Sequence, residues 1–377
     1  MVDSTQIRAV VYDGERDPTV RTVTLNPPKS GEVAVDITAA GVCHSDLHVV
    51  QGEWPVPTPT VLGHEGSGVV VEVGPDVDGL QIGDHVVLSW VASCGECRYC
   101  KAGRPVQCSA YAEVVGPGGV LFDGTTRLVM DGAPIYHYLG ASTFAERVVV
   151  PATGAIKVRK DAPLDVIALV GCAVATGVGA VTHTAQVPHG ATVVVIGCGG
   201  VGLSCVQGAR LAGASRIVAV DVITSKLDLA QKFGATDVID AASEDPEERL
   251  AQILPEGGDF VFDAIGKPQT TEQAIRMLAL GGAAVVVGLP PAGSSATFDP
   301  LALAEADQRI LGSNYGSIVP AVDIPRLVDA YMDGDIDLDS MVSARRPLEE
   351  AAAALQDLRG GSALRQLLLP AMDGETA

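Results

Sequence analysis

Through the middle of the chain, short apolar runs alternate with amphipathic stretches. Residues 192–196 (TVVVI) are β-branched throughout, the pattern of a strand buried on both faces of a parallel sheet. The alternation then continues as a helix at 203–212, a strand at 216–220, a helix at 225–233 and a strand at 237–239, followed by a strand at 260–263, a helix at 270–280 and a strand at 283–287. Such spacing predicts right-handed βαβ units around a parallel sheet. The first 165 residues differ. Short Val-rich runs at 32–40, 68–73, 85–88 and 147–150, separated by Gly and Pro, predict a mainly antiparallel, barrel-like or sandwich-like half. After about Asn314 the apolar spacing predicts amphipathic helices at 323–331 and 348–358. Between Asp165 and Arg210 there is no Asp, Glu, Lys or Arg, yet a spanning helix needs about 20 apolar residues in a row. Gly171, Thr176, Gly177, Gly179, His183, Pro188, His189 and Gly190 interrupt the segment, so it reads as a buried helix leading into the buried strand.

Length and charge narrow the picture. The 377 residues suit about two domains, and 47% hydrophobic with 19% charged residues excludes disorder. The net charge of −21, with no Lys/Arg-rich run, argues against a nucleic-acid partner and against a polybasic membrane anchor. Met1 to Arg8 carry no basic region leading into an apolar one, so a cytoplasmic location is expected. The chain has only seven Lys, and its acidic coat suits a salt-rich cytoplasm.

Three sets of residues carry chemistry. Gly197-Cys198-Gly199-Gly200-Val201-Gly202 fits G-x-G-x-x-G between a strand and a helix, where backbone N–H groups and the helix N-terminus receive a pyrophosphate. Asp221 ends the next strand, placed to accept from ribose hydroxyls, and no Arg or Lys follows it until Lys226, which favours NAD over NADP. Cys94, Cys97, Cys100 and Cys108 offer four thiolates within 15 residues, a closed shell for a structural Zn²⁺, although an iron–sulfur cluster satisfies the same ligands. Cys43, His64 and Cys172 match an open catalytic zinc site by residue type, but their spacing alone leaves an ordinary buried Cys or turn His equally available.

These motifs, together with Gly41-Val42-Cys43-His44-Ser45-Asp46-Leu47-His48, Leu62-Gly63-His64-Glu65-Gly66, Ser142-Thr143-Phe144-Ala145-Glu146, Val170-Gly171-Cys172 and Leu364-Arg365, make the chain resemble the zinc-dependent medium-chain alcohol dehydrogenases over nearly its whole length. The resemblance implies a GroES-like catalytic domain at 1–173 and 314–377 with a structural-zinc lobe at 91–112, and a doubly wound Rossmann NAD domain at 174–313. It also implies two zinc ions per chain, with Cys43, His64 and Cys172 holding the catalytic one and Glu65 as an occasional alternative ligand.

Roles for the neighbours follow from the same resemblance. Asp46 would orient His64, His44 and Arg365 would contact the coenzyme pyrophosphate, and Lys226 the adenosine ribose. Zinc would polarise the alcohol oxygen toward alkoxide, hydride would pass to the nicotinamide, and Ser45 and His48 would relay the proton. Trp54, Trp90, Tyr138 and Leu289 fall at substrate-facing positions, and two indoles would favour unbranched primary or aryl alcohols. Between Glu53 and Leu62 the chain lacks the longer acid-bearing loop of the glutathione-dependent formaldehyde dehydrogenases, which argues against that activity. The loop at 116–138 resembles that of branches that are usually dimers, so a homodimer is expected before a tetramer. The competing expectations are a zinc polyol or secondary-alcohol dehydrogenase, and a dehydrogenase-like NAD-binding protein without activity; the latter would lack a ligand or a relay residue, and none is missing.

Overall fold

The computed structural model describes residues 4–361 and 363–372. The chain divides into two compact units: one formed by residues 1–172, 319–334 and 338–377, the other by residues 173–318 and 335–337.

The first unit is mainly antiparallel β. Strands Thr5–Tyr12, Thr19–Leu25, Leu128–Met130, Ala133–His137 and Thr60–Val61 close a barrel. A second, seven-stranded sheet is centred on the long strand Glu32–Val42, which pairs antiparallel with Glu65–Val73, with Arg147–Pro151 and with Arg365–Leu368. Val33, Val35, Val70, Val86, Phe144, Val148 and Leu368 pack into one core, and each is at most 2% exposed. The Val-rich runs form strands as their pattern predicts. The sequence pattern missed the helix His44–Val50, which is only seven residues long and whose N-terminal N–H of Cys43 is capped by the Asp46 carboxylate. The expected helix at 348–358 opens as a 3₁₀ turn, Leu348–Glu350, before Ala351–Arg359 becomes α-helical.

The second unit holds six parallel strands in the order Asp237–Asp240, Arg216–Asp221, Thr192–Ile196, Gly258–Asp263, Leu278–Val286, Arg309–Gly312. The chain order reverses beside Thr192–Ile196, so the glycine turn that follows this strand sits at the switch point where doubly wound sheets bind ligands. Val194, Val218, Val261 and Ala284 are fully buried within it, as their continuous apolar runs require. The helix expected at 270–280 is shorter, Pro268–Arg276: from Leu278 the chain is drawn into the sheet beside Gly258. Residues 314–318, expected with the catalytic half, belong to this unit. Gly316, at φ +64°, lies so close to the helix Ala173–Gly179 that a Cβ would stand 2.6 Å from the Ala175 carbonyl. Among the described residues no single helix is long and apolar enough to cross a membrane.

Candidate catalytic metal centre and dinucleotide site

Three distant stretches of the first unit converge on one point. Cys43 follows the strand Glu32–Val42, His64 lies in the connection into Glu65–Val73, and Cys172 follows the 3₁₀ turn Ala168–Gly171. Their ligand atoms all lie within 4.8 Å of one another, and all three residues are buried. Gly63 makes the His64 connection possible: it adopts φ +90°, and a Cβ there would stand 2.5 Å from the Phe144 backbone nitrogen. His64 Nε2 is buried with no hydrogen-bond partner, while its Nδ1 faces Asp46 Oδ1 at 3.4 Å. Asp46 is itself fixed, accepting from the N–H of Gly63 at 3.0 Å and of Cys43 at 3.2 Å.

An orphaned imidazole nitrogen between two thiols is the donor set of a zinc site with a free fourth position. Burial opposes charging of His64, but Asp46 outweighs it and holds the imidazole well above its usual range. The shared hydrogen bond with Cys172 draws the Cys43 thiol well below its own.

Glu65, expected as an alternative ligand, stands outside this set. Both its oxygens accept from Arg365 Nη2 at 2.6 Å, and neither residue is more than 3% exposed. Burial still pushes the Glu65 carboxyl up to about 7 against the pull of Arg365. Arg365 Nε has no partner. Gly41 makes room for this pair, since a Cβ there would stand 2.1 Å from Glu65 Oε1.

Ser45 and His48 lie on the helix His44–Val50, with Ser45 Oγ 3.7 Å from Cys43 Sγ and His44 exposed at its first position. Of the aromatic residues proposed for the pocket, Tyr138 meets the His64 ring edge-on at 5.6 Å and donates its hydroxyl to Ser45 O at 3.0 Å. Trp90 meets Tyr111 at 6.2 Å, whereas Trp54 stacks on His48 at 4.5 Å. Leu289 lies in the second unit, half exposed. Sequence reasoning overlooked two neighbours. Glu53 hydrogen-bonds His48 Nδ1, and the buried Tyr111 hydroxyl has no partner. The Gly52-Glu53-Trp54 turn just beyond His48 was a signal for the first; Tyr111 opens a short π-helical turn, Tyr111–Val115, that no sequence pattern announces.

The second cysteine set brings the Sγ atoms of Cys94, Cys97, Cys100 and Cys108 within 4.8 Å of one another. The N–H of Cys94 donates to Cys108 Sγ at 3.3 Å and that of Cys97 to Cys94 Sγ at 3.4 Å, while burial holds the Cys100 and Cys108 thiols above their usual range. The Cys100 backbone N–H pulls the Cys97 thiol down to about 5. Four thiolates leave no open position on a zinc ion.

In the second unit, Gly197 turns at φ +93°, and a Cβ on Gly202 would stand 1.7 Å from the Gly197 carbonyl, so this turn accepts only glycine at both places. Gly199, by contrast, faces open space in front of the helix Gly200–Leu211, which begins with Gly200, Val201 and Gly202. That opening fits a pyrophosphate on the helix N-terminus. Asp221 accepts from the N–H groups of Cys198 at 2.7 Å and Ile223 at 3.0 Å, which fixes its carboxylate at the strand end. Lys226 lies in the first turn of the next helix, Thr224–Phe233.

Residues 29–160 match the alcohol dehydrogenase GroES-like domain and residues 200–331 the zinc-binding dehydrogenase domain. The S-(hydroxymethyl)glutathione dehydrogenase of Saccharomyces cerevisiae is 38% identical over 96% of this chain and 95% of its own length. That of Paracoccus denitrificans is 37% identical over 96% and 98%. The benzyl alcohol dehydrogenase of Acinetobacter calcoaceticus superposes with a TM-score of 0.92 at 35% identity, covering 97% of this chain and 99% of that one. Fold and sites together define a zinc-binding, NAD-dependent oxidoreductase. More particularly, the chain belongs to the zinc-dependent medium-chain alcohol dehydrogenase family, and the small molecules of this class are alcohols and aldehydes.

Proposed function

We propose that the chain oxidises unbranched primary alcohols, aliphatic or aryl, to aldehydes with NAD, and runs the reverse reduction. The observation that carries this is the buried Cys43, His64 and Cys172 set, with its orphaned His64 Nε2 and with Ser45 beside it. Zinc held there supplies Lewis acidity to the alcohol oxygen. Asp46 keeps the His64 ring aimed inward, Ser45 Oγ accepts the alcohol proton as it releases its own, and His48, one helical turn on, takes up the released proton and passes it to solvent. Gly197, Gly199, Gly200, Val201, Gly202 and Asp221 hold NAD, with His44, Lys226 and Arg365 as further contacts. Glu65 counters the Arg365 charge, and to serve as an occasional alternative ligand it would leave that pair.

Tyr138, edge-on to the His64 ring, and Trp90 would give the metal side of the pocket aromatic walls, in a chain with only 4% aromatic residues. That supports flat or slender substrates. A panel of ethanol, hexanol, benzyl alcohol, 2-propanol and S-(hydroxymethyl)glutathione with NAD tests the reading, and branched alcohols should become substrates in Trp90→Ala. The names of the curated relatives favour S-(hydroxymethyl)glutathione as a second reading. A rate on that adduct well above the rate on benzyl alcohol would install it in place of the first.

A homodimer is supported by the second unit's exposed edge strand Arg309–Gly312 and by Leu280, Phe298, Leu301 and Ile310, which are 37–83% exposed. Light scattering of the purified protein and of Ile310→Lys tests it. The acidic composition and the free, metal-suited cysteines support a cytoplasmic location.

A further inference from the structure

The turn that follows the helix His44–Val50 folds back onto His48. Gly52 adopts φ +71°, and the N–H groups of Glu53 and Trp54 both donate to the His48 carbonyl, at 2.9 and 3.2 Å. The turn thereby places two side chains on the imidazole. The Glu53 carboxylate accepts a hydrogen bond from Nδ1, and the Trp54 indole stacks on the ring at 4.5 Å with 23° between the planes. We propose that Glu53 is the positioning residue of the proton relay: its carboxylate holds the proton on His48 Nδ1, so that Nε2 is the nitrogen that accepts the proton released by the alcohol, and it offsets the positive charge of the imidazolium that results.

The argument has three parts. A neutral imidazole carries one proton, and a carboxylate at Nδ1 can only accept, so the proton resides on Nδ1 and the Nε2 lone pair is free. When Nε2 gains a proton, no bond to Nδ1 breaks and the ring becomes cationic beside a fixed anion, the arrangement by which a buried carboxylate orients and charges a catalytic histidine. The Trp54 face prevents the ring from swinging away and adds a favourable surface for a cation.

No other carboxylate among the described residues hydrogen-bonds this ring. On the same helix Asp46 is turned to Gly63 and His64. From the first strand Tyr12 gives its hydroxyl to Val50 O. The packed helix Ala351–Arg359 contributes Asp357, held by Arg346, and Arg359. The Glu53 side chain is 34% exposed, so its replacement leaves no buried charge unpaired.

This inference rests on the relay proposed above and is tested with the zinc-loaded full chain. The readout is single-turnover NADH formation from benzyl alcohol as a function of pH, in wild type, Glu53→Gln, Glu53→Asp, His48→Gln and the Glu53→Gln/His48→Gln pair. Removing the carboxylate frees the Nδ1 proton to migrate and leaves the imidazolium without its counter-charge, so in Glu53→Gln the rate falls roughly two- to tenfold. Glu53→Asp recovers part of that loss, and in the His48→Gln background Glu53→Gln changes nothing. An undiminished rate in Glu53→Gln across the pH range, or an equal loss with and without His48, overturns the role of Glu53 while leaving the relay standing. A His48→Gln profile identical to wild type overturns the relay and this inference with it.

Discussion

Cys94, Cys97, Cys100 and Cys108 come from 15 consecutive residues, whereas Cys43, His64 and Cys172 come from positions 21 and 108 residues apart. The first set is partly exposed except for Cys108, and few of its surroundings are buried: between 91 and 112 only Val91, Ala92, Val106, Cys108 and Tyr111 fall in the core. The second is buried throughout, each ligand standing at the end of a strand or turn whose own hydrogen bonds fix it, with Asp46 behind one ligand and the Glu65–Arg365 pair alongside. In the lobe the metal organises the chain; at the catalytic set the chain organises the metal. The contrast divides the effects of mutation between stability and chemistry.

The largest expected effect is on chemistry alone. Cys43→Ala removes a ligand from a prebuilt wall, so zinc content falls from about two to about one per chain while the melting temperature shifts little. Loss of Lewis acidity removes several kcal/mol of transition-state stabilisation, a fall in kcat/KM of at least about 10³-fold. If Cys43→Ala instead unfolds the protein, the catalytic set is as metal-dependent as the lobe and the contrast collapses. Next is Asp46→Asn, which keeps the shape but takes the negative charge from behind His64. Zinc at the catalytic set should bind about 10- to 100-fold more weakly, as a competing chelator would measure, while the lobe's zinc is released at the wild-type rate.

The two sets also differ in how far they could be read from the chain. The lobe is legible because its ligands are local: four thiols at fixed short spacing specify their geometry before any fold exists. The catalytic set is not, since spacing alone left Cys43, His64 and Cys172 indistinguishable from ordinary buried residues, and only family likeness joined them. The parallel sheet was legible to within a residue or two at Thr192–Ile196 and Arg216–Asp221, where a continuous β-branched run and a Val/Ile-rich one mark the strands, while the end of the helix Pro268–Arg276 was set by sheet pairing that no local pattern encodes. The Glu65–Arg365 pair escaped for a related reason. Its partners lie 300 residues apart, and likeness assigned each to a different ligand, whereas the close packing at Gly41 and the antiparallel pairing of Arg365–Leu368 with Glu32–Val42 bring them to each other.

A smaller effect on activity is expected where the metal supports the fold. Cys97→Ser should lose the lobe's zinc, keep the catalytic one, and expose residues 91–112 to proteolytic nicking, while kcat on benzyl alcohol stays within about tenfold of wild type, because nothing in the lobe supplies a ligand to the catalytic set. Zinc analysis with limited proteolysis reads both. An activity loss as deep as that of Cys43→Ala would mean that the lobe shapes the catalytic wall after all.

The smallest effect distinguishes metal from packing within the lobe itself. Tyr99 lies between Cys97 and Cys100, with the Arg98 guanidinium 4.5 Å from its ring centroid and that of Arg104 at 5.3 Å, a stack that could itself hold the lobe together. Such exposed contacts contribute about 0.5–1 kcal/mol each, against the roughly 10 kcal/mol or more that a structural zinc supplies to a small metal-organised segment. Tyr99→Ala should therefore leave two zinc ions bound and activity unchanged, and speed nicking of the lobe by no more than about fivefold, which a proteolysis time course resolves. Nicking as fast as in Cys97→Ser, with zinc still bound, would show that side-chain packing rather than metal orders this segment, and the two cysteine sets would then be built by the same logic.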